Sequence, residues 1–101
     1  MFLYNVTIKI DDSVREEWLD WMKKTHIPEV MDTGLFTSNR ICRLLENEEE
    51  GGATYAIQYT FKDLDDYTRY REIFAPSLQE KHLQKYRNKF VAFRTLLEII
   101  E

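Results

Sequence analysis

From Phe2 to Ile10, apolar side chains fill every even position (Phe2, Tyr4, Val6, Ile8, Ile10), while the odd positions read Leu3, Asn5, Thr7 and Lys9. A period of two sends the two sets to opposite faces, so the pattern predicts a first strand with one face buried. Asp11, Asp12 and Ser13 follow, and Ser13 with Glu16 three residues on forms a capping box that starts a helix. At about 100° per residue, Val14, Trp18, Trp21, Met22 and Thr25 share one stripe, with Arg15, Glu16, Asp20 and Lys23 outside it. Pro28 lacks an amide hydrogen and disfavours α geometry at Ile27. The helix is therefore expected to end or bend near His26, with a short turn from Pro28 through Met31 and Gly34 closing it.

Leu35 to Glu46 is strand-like, and Tyr55, Ile57, Tyr59 and Phe61 alternate with Thr54, Ala56, Gln58 and Thr60 in a third strand. The intervening ENEEEGG reads as a solvated hairpin loop, since it lacks the ligand spacing of a calcium site. Asp63 caps the next helix, where Leu64, Tyr67, Arg71 and Phe74 share a side. Pro76 is expected to break it and restart a segment carrying Leu78, His82, Leu83 and Tyr86. Finally Val91, Phe93, Thr95, Leu97 and Ile99 alternate with Phe90, Ala92, Arg94, Leu96 and Glu98. The order βαββαβ, with short connections and right-handed crossovers, predicts an α+β fold. It is the split βαβ or ferredoxin-like arrangement, one domain over residues 1–101, with an antiparallel four-stranded sheet in order 4-1-3-2 and both helices on one face.

The helices are expected over Tyr4, Val6, Ile8, Ile57, Tyr59, Phe93 and Leu97. That leaves Asn5, Thr7, Lys9, Ala56, Gln58, Thr60, Ala92, Arg94 and Leu96 on the open side. Small, uncharged residues at its centre suit the approach of a second sheet, and two-fold self-pairing is the commonest homo-oligomer. A homodimer is expected, with Asn5, Gln58 and Arg94 at its interface.

Composition narrows the function. The chain has 101 residues, 44% hydrophobic, with six Tyr, six Phe and two Trp, enough apolar surface for one core. A single cysteine, Cys42, excludes an internal disulfide and a multi-thiolate zinc site, and fits a reducing cytoplasm. The start shows no basic segment before an apolar run, and no run nears the ~20 residues that span a bilayer. A soluble cytoplasmic protein without a membrane partner is expected. The net charge of −4 argues against a nucleic-acid partner, and GATYAIQYTF lacks the glycine–aromatic signature of RNA-recognition strands.

Two histidines carry the candidate chemistry. His26 lies at the edge of the packing stripe, beside Met22 and at the expected helix end. There it either caps a terminal carbonyl or serves as an acid–base group in a cavity, oriented by Glu29 or Asp32. His82 is flanked at four-residue spacing by Leu78 and Tyr86, so it needs a partner on the sheet or the other helix, with a ligand contact as the alternative. No metal-binding spacing joins them, and no metal or cofactor is expected. Trp18, Trp21, Tyr4, Tyr59 and Phe93 either line an apolar pocket or pack as core. The candidate ligand-binding set is therefore His26, Trp18, Trp21, Glu29, His82 and Tyr59.

YNVTIKID, then WLDWMKKTHIPEVMDTGLF and the closing KFVAFRTLLEII, resemble a group of small bacterial proteins built on a domain of unknown function in the dimeric α/β-barrel superfamily. The resemblance spans essentially the whole chain. Its most specific parts are Trp18, Trp21, His26-Ile27-Pro28-Glu29, Gly34-Leu35-Phe36 and Phe93 through Glu98. It implies the fold and a homodimer, and brings no activity. Superfamily members include cofactor-independent quinone monooxygenases and haem-degrading monooxygenases. Asn5 and His82 match the asparagine and histidine of the haem-degrading type, but its sheet tryptophan has no counterpart here. Three functions follow: binding of a small apolar ligand between helices and sheet with His26 as polar contact, a non-catalytic dimerisation module, or a monooxygenase-like enzyme.

Overall fold

The alternation of the first and third strands builds the centre of an antiparallel sheet. A computed structural model describes residues 1–46 and 51–101, so most of the expected 46–52 loop lies outside the described residues. The elements run β1 (Phe2–Ile10), α1 (Arg15–Trp21), α2 (Ile27–Met31), β2 (Ser38–Arg43), β3 (Ala53–Phe61), α3 (Leu64–Arg69), α4 (Ala75–Lys85) and β4 (Phe90–Glu98). The sheet order is β2-β3-β1-β4, the expected order read from the other edge. Tyr4, Val6, Ile8 and Ile10 pair with Tyr59, Ile57, Tyr55 and Ala53, and all are buried beneath the helices. β2 is shorter than expected, although Phe36 just before it is buried.

Neither helical arm stops where its proline suggests. The first continues from α1 through a π turn, Met22–His26, into α2, and the Ile27 amide bonds back five residues to the Met22 carbonyl. The second does the same through Tyr70–Phe74, with the Ala75 amide bonded to the Tyr70 carbonyl. In each arm the wide turn ends two residues before a proline, Pro28 or Pro76. A proline within a helix lacks a donor, and its ring crowds the carbonyl four residues back. Widening the preceding turn moves that carbonyl aside, so the helix continues instead of breaking. His26 is thus mid-helix and caps nothing. The extra residue also shifts the helical phase: Tyr70 is the buried residue of the wide turn, while Leu64 and Arg71 of the expected stripe are exposed.

The capping residues differ too. The Asp11 carboxylate accepts the amide and hydroxyl of Ser13, so Asp11 rather than Ser13 starts the first arm. Asp63 occupies the N-cap of α3 without a side-chain bond.

The β4 faces are the reverse of those expected. Val6 pairs with Arg94, Ile8 with Ala92 and Tyr4 with Leu96, so Ala92, Arg94 and Leu96 share the helix-covered face. Phe93 and Leu97 point to the open face with Val91, and are 63%, 44% and 68% exposed. Both sets of β4 are apolar, so its alternation alone is ambiguous. The register comes from the turn after α4, where Asn88 adopts a left-handed φ of 64° and Lys89 bonds both Tyr86 and Asp11. Asn5 and Gln58 remain on the open face, where Arg40 donates to Gln58, Gln58 to Asn5 and Asn5 to Thr7. Arg40 holds the place expected of Arg94.

Two glycines test the local account. Gly34 and Gly52 both have φ +77°, but a Cβ on Gly34 meets nothing within 4 Å, whereas on Gly52 it would stand 2.9 Å from the Ile10 backbone oxygen. Gly34→Ala should cost about 1 kcal/mol from the left-handed backbone alone, and Gly52→Ala at least about 2 kcal/mol. Urea unfolding measures both, and equal costs would discount the Ile10 contact.

Candidate functional site

The two arms meet over the sheet through one buried hydrogen bond, in which Trp18 Nε1 donates to His82 Nε2 at 2.9 Å. Trp18 is fully buried and packs on Tyr55, so the indole is part of the core and the imidazole is held from behind. This is the partner on the other helix that a histidine between Leu78 and Tyr86 requires. An Nε2 that accepts must be unprotonated, so the neutral ring carries its proton on Nδ1. Burial, then the nearby His26 and Arg94, lower its pKa to about 4.

His26 ends the first π turn. Its ring stacks on Trp21 with centroids 5.1 Å apart and lies 5.8 Å from the His82 ring. Burial holds its pKa down at about 4, against the upward pull of the Glu29 carboxylate; Arg94 and Lys81 add to the lowering. Among the described residues no protein group hydrogen-bonds the His26 ring.

Both imidazoles face a small cavity between the arms and the sheet, about 30 Å³, room for roughly one water molecule. Val6, Ile8 and Ile57 form its floor, and Tyr4, Tyr59 and Tyr70 bring phenols to it. Burial raises the pKa of all three, so the hydroxyls stay protonated and able to donate. Gln79 and Arg94 close one side and interact with the Tyr4 hydroxyl. The same pair walls two larger clefts outside, of about 240 and 450 Å³.

Of the residues singled out in the sequence, His26, His82 and Tyr59 converge on this cavity. Trp18 stands behind His82, and Trp21 stacks on His26 with the Lys85 ammonium 6.0 Å from its ring. Glu29 turns outward and pairs with Lys81 at 2.9 Å, tying α2 to α4 beside a different cleft. Tyr70, Gln79 and Arg94 join the site unforeseen. The phase shift hides Tyr70, the reversed face hides Arg94, and no sequence signal marks Gln79. Three or more metal-ligating side chains gather nowhere among the described residues.

The depressed histidine pKa values set a pH dependence. Between about pH 4 and 6.5 the unfolded chain binds protons that the folded rings refuse, so stability is full above pH 6.5 and falls as pH drops toward 4. For His82, which is 6% exposed, the loss is on the order of 3 kcal/mol. Urea unfolding from pH 7 to 4.5 should show this fall, with a shallower slope in His26→Phe. Identical slopes would mean that the His26 ring is not held neutral by the fold.

The whole architecture recurs in solved structures. A dimeric ferredoxin-like protein from an uncultured marine organism superposes with a TM-score of 0.71 at 14% identity, covering 100% of this chain and 96% of that one. A protein from Nitrosomonas europaea assigned to antibiotic biosynthesis monooxygenases gives 0.70 at 8% identity, with both chains fully covered. MhuD, with two manganese protoporphyrin IX molecules bound per active site, gives 0.63 at 12% identity, covering 100% and 96%. At these identities the likeness is one of fold. Among curated proteins none matches the sequence. No helix among the described residues is long and apolar enough to cross a membrane. Residues 1–100 match the model of a domain of unknown function, DUF4286, and the chain belongs to that family.

Proposed function

We propose that the protein binds a small, largely apolar molecule between the helical arms and the sheet, with His26 as its polar contact, and that it works as a homodimer. The observation that carries the binding reading is the His26 ring: lining the cavity, held neutral, stacked on Trp21 and, among the described residues, unused by the fold's own hydrogen bonds. A neutral imidazole donates from one nitrogen and accepts at the other, which suits a carbonyl or hydroxyl group on the ligand. The cavity of about 30 Å³ is far below the ~300 Å³ of a typical ligand pocket. Gln79 and Arg94 are long side chains, and their rotation joins it to the clefts beyond.

An oxygenase-like enzyme is the weaker reading. A ring with a pKa near 4 accepts protons poorly at neutral pH, far from the match that general-base catalysis needs. The residues do not fit a haem either: Asn5 lies on the open face bonded to Thr7, opposite His82, whose Nε2 is already engaged by Trp18.

The homodimer rests on the open face. Exposed Val91, Phe93 and Leu97 flank the small side chains Thr7 and Ala56, an apolar patch that a second copy would cover. Two marine proteins similar in structure are described as dimeric.

Thermal-shift screening with small cyclic ketones and alcohols should find compounds that raise the melting temperature of the wild type by several degrees, with the shift lost in a folded His26→Ala variant. A wild type that no such compound stabilises would sink the binding reading. Sedimentation velocity should show a dimer, converted to monomer by Phe93→Lys; a wild-type monomer would remove the assembly.

A further inference from the structure

The cleft of about 240 Å³ beyond Tyr4 is lined by Tyr4, Tyr67, Tyr70 and Ala75 together with the polar side chains of Arg71, Gln79 and Arg94. Every polar side chain among these offers a hydrogen-bond donor, and no carboxylate lines the cleft. The chain carries 18 acidic residues against 14 Lys and Arg. Yet among the described residues neither Arg71 nor Arg94 is ion-paired with any of them; Arg71 instead lies 5.9 Å from the Tyr67 ring centroid. Two guanidinium groups on one wall repel each other, and an anion between them relieves that repulsion while using their donors. Tyr4 and Tyr70, phenols protonated at neutral pH, bring hydroxyl donors to the same cleft.

We propose that this cleft holds the carboxylate of the ligand, whose apolar part reaches past Gln79 toward His26. The ligand class is then a small aromatic or aliphatic acid. Tyr4, Tyr70, Gln79 and Arg94 line both the cleft and the inner cavity, so these side chains alone stand between the two, and rotation of Gln79 opens the way for one molecule to span them. The inference rests on the binding reading above and adds the charge of the ligand. It also sorts the arginines: Arg71 touches only the cleft, whereas Arg94 borders both spaces.

Phenylacetate and 2-phenylethanol, of nearly equal size and differing in charge, separate the two ideas when titrated by NMR at neutral pH. The acid should bind the wild type about tenfold more tightly than the alcohol. Arg71→Met, a change at an exposed position, should bring the acid down to the affinity of the alcohol. If the alcohol binds and the acid binds no better, the carboxylate subsite is wrong while the binding reading stands. An acid preference that survives both Arg71→Met and Arg94→Met overturns the subsite as well. If neither probe binds, the binding reading falls and takes the subsite with it.

Discussion

The Trp18–His82 hydrogen bond governs how the two helical arms sit on the sheet. It joins α1 in one arm to the last turn of α4 in the other, among buried side chains where an unmet indole donor or imidazole acceptor would be costly. Because Nε2 must accept, the bond also sets the protonation state of His82. Packing and electrostatics are one constraint here. Burial keeps the second imidazole neutral, and the indole that fills the core beside Tyr55 fixes its tautomer and holds it against the cavity.

Around that bond the site is electrostatically lopsided. Arg94, on the helix face of the edge strand, acts on both histidines and on Tyr4 and Tyr70, and lowers each of their pKa values. Burial works with it at the imidazoles and against it at the phenols. The outcome is a set of neutral side chains around one cation, with the Glu29–Lys81 pair turned away on the outer side of the arms. The potential in this space is accordingly positive.

How much of this was legible in the sequence depends on the element. β1 and β3 have one clearly apolar set each, so their buried faces, pairing and place at the sheet centre follow from alternation. β4 is apolar on both sides, and its face is decided by the turn at Asn88 and by pairing with β1, neither of which alternation encodes. That reversal moved Arg94 from an expected interface into the site and put Phe93 on the open face. The prolines were read as helix breakers because their local chemistry is unfavourable. The chain keeps the helices by widening one turn, and the packing of Trp18, Met22 and Val30 against the sheet supplies the reason to continue. His26 and His82 were recognised as candidates from polarity on an apolar face, but their mutual approach depends on the crossing of the arms.

The wide turns carry a consequence for the geometry of inheritance. In a regular helix each residue advances about 100°, so gaining or losing one residue swings everything beyond it to another side. The Met22–His26 turn accommodates one residue more than regular winding would hold, and the second arm has its own such surplus at Tyr70–Phe74. A relative lacking one residue in either stretch could wind regularly, yet its imidazole or its phenol would then aim elsewhere. Across descendants of this fold, the lengths of these two stretches should vary together with what occupies the space between arms and sheet, or not vary at all.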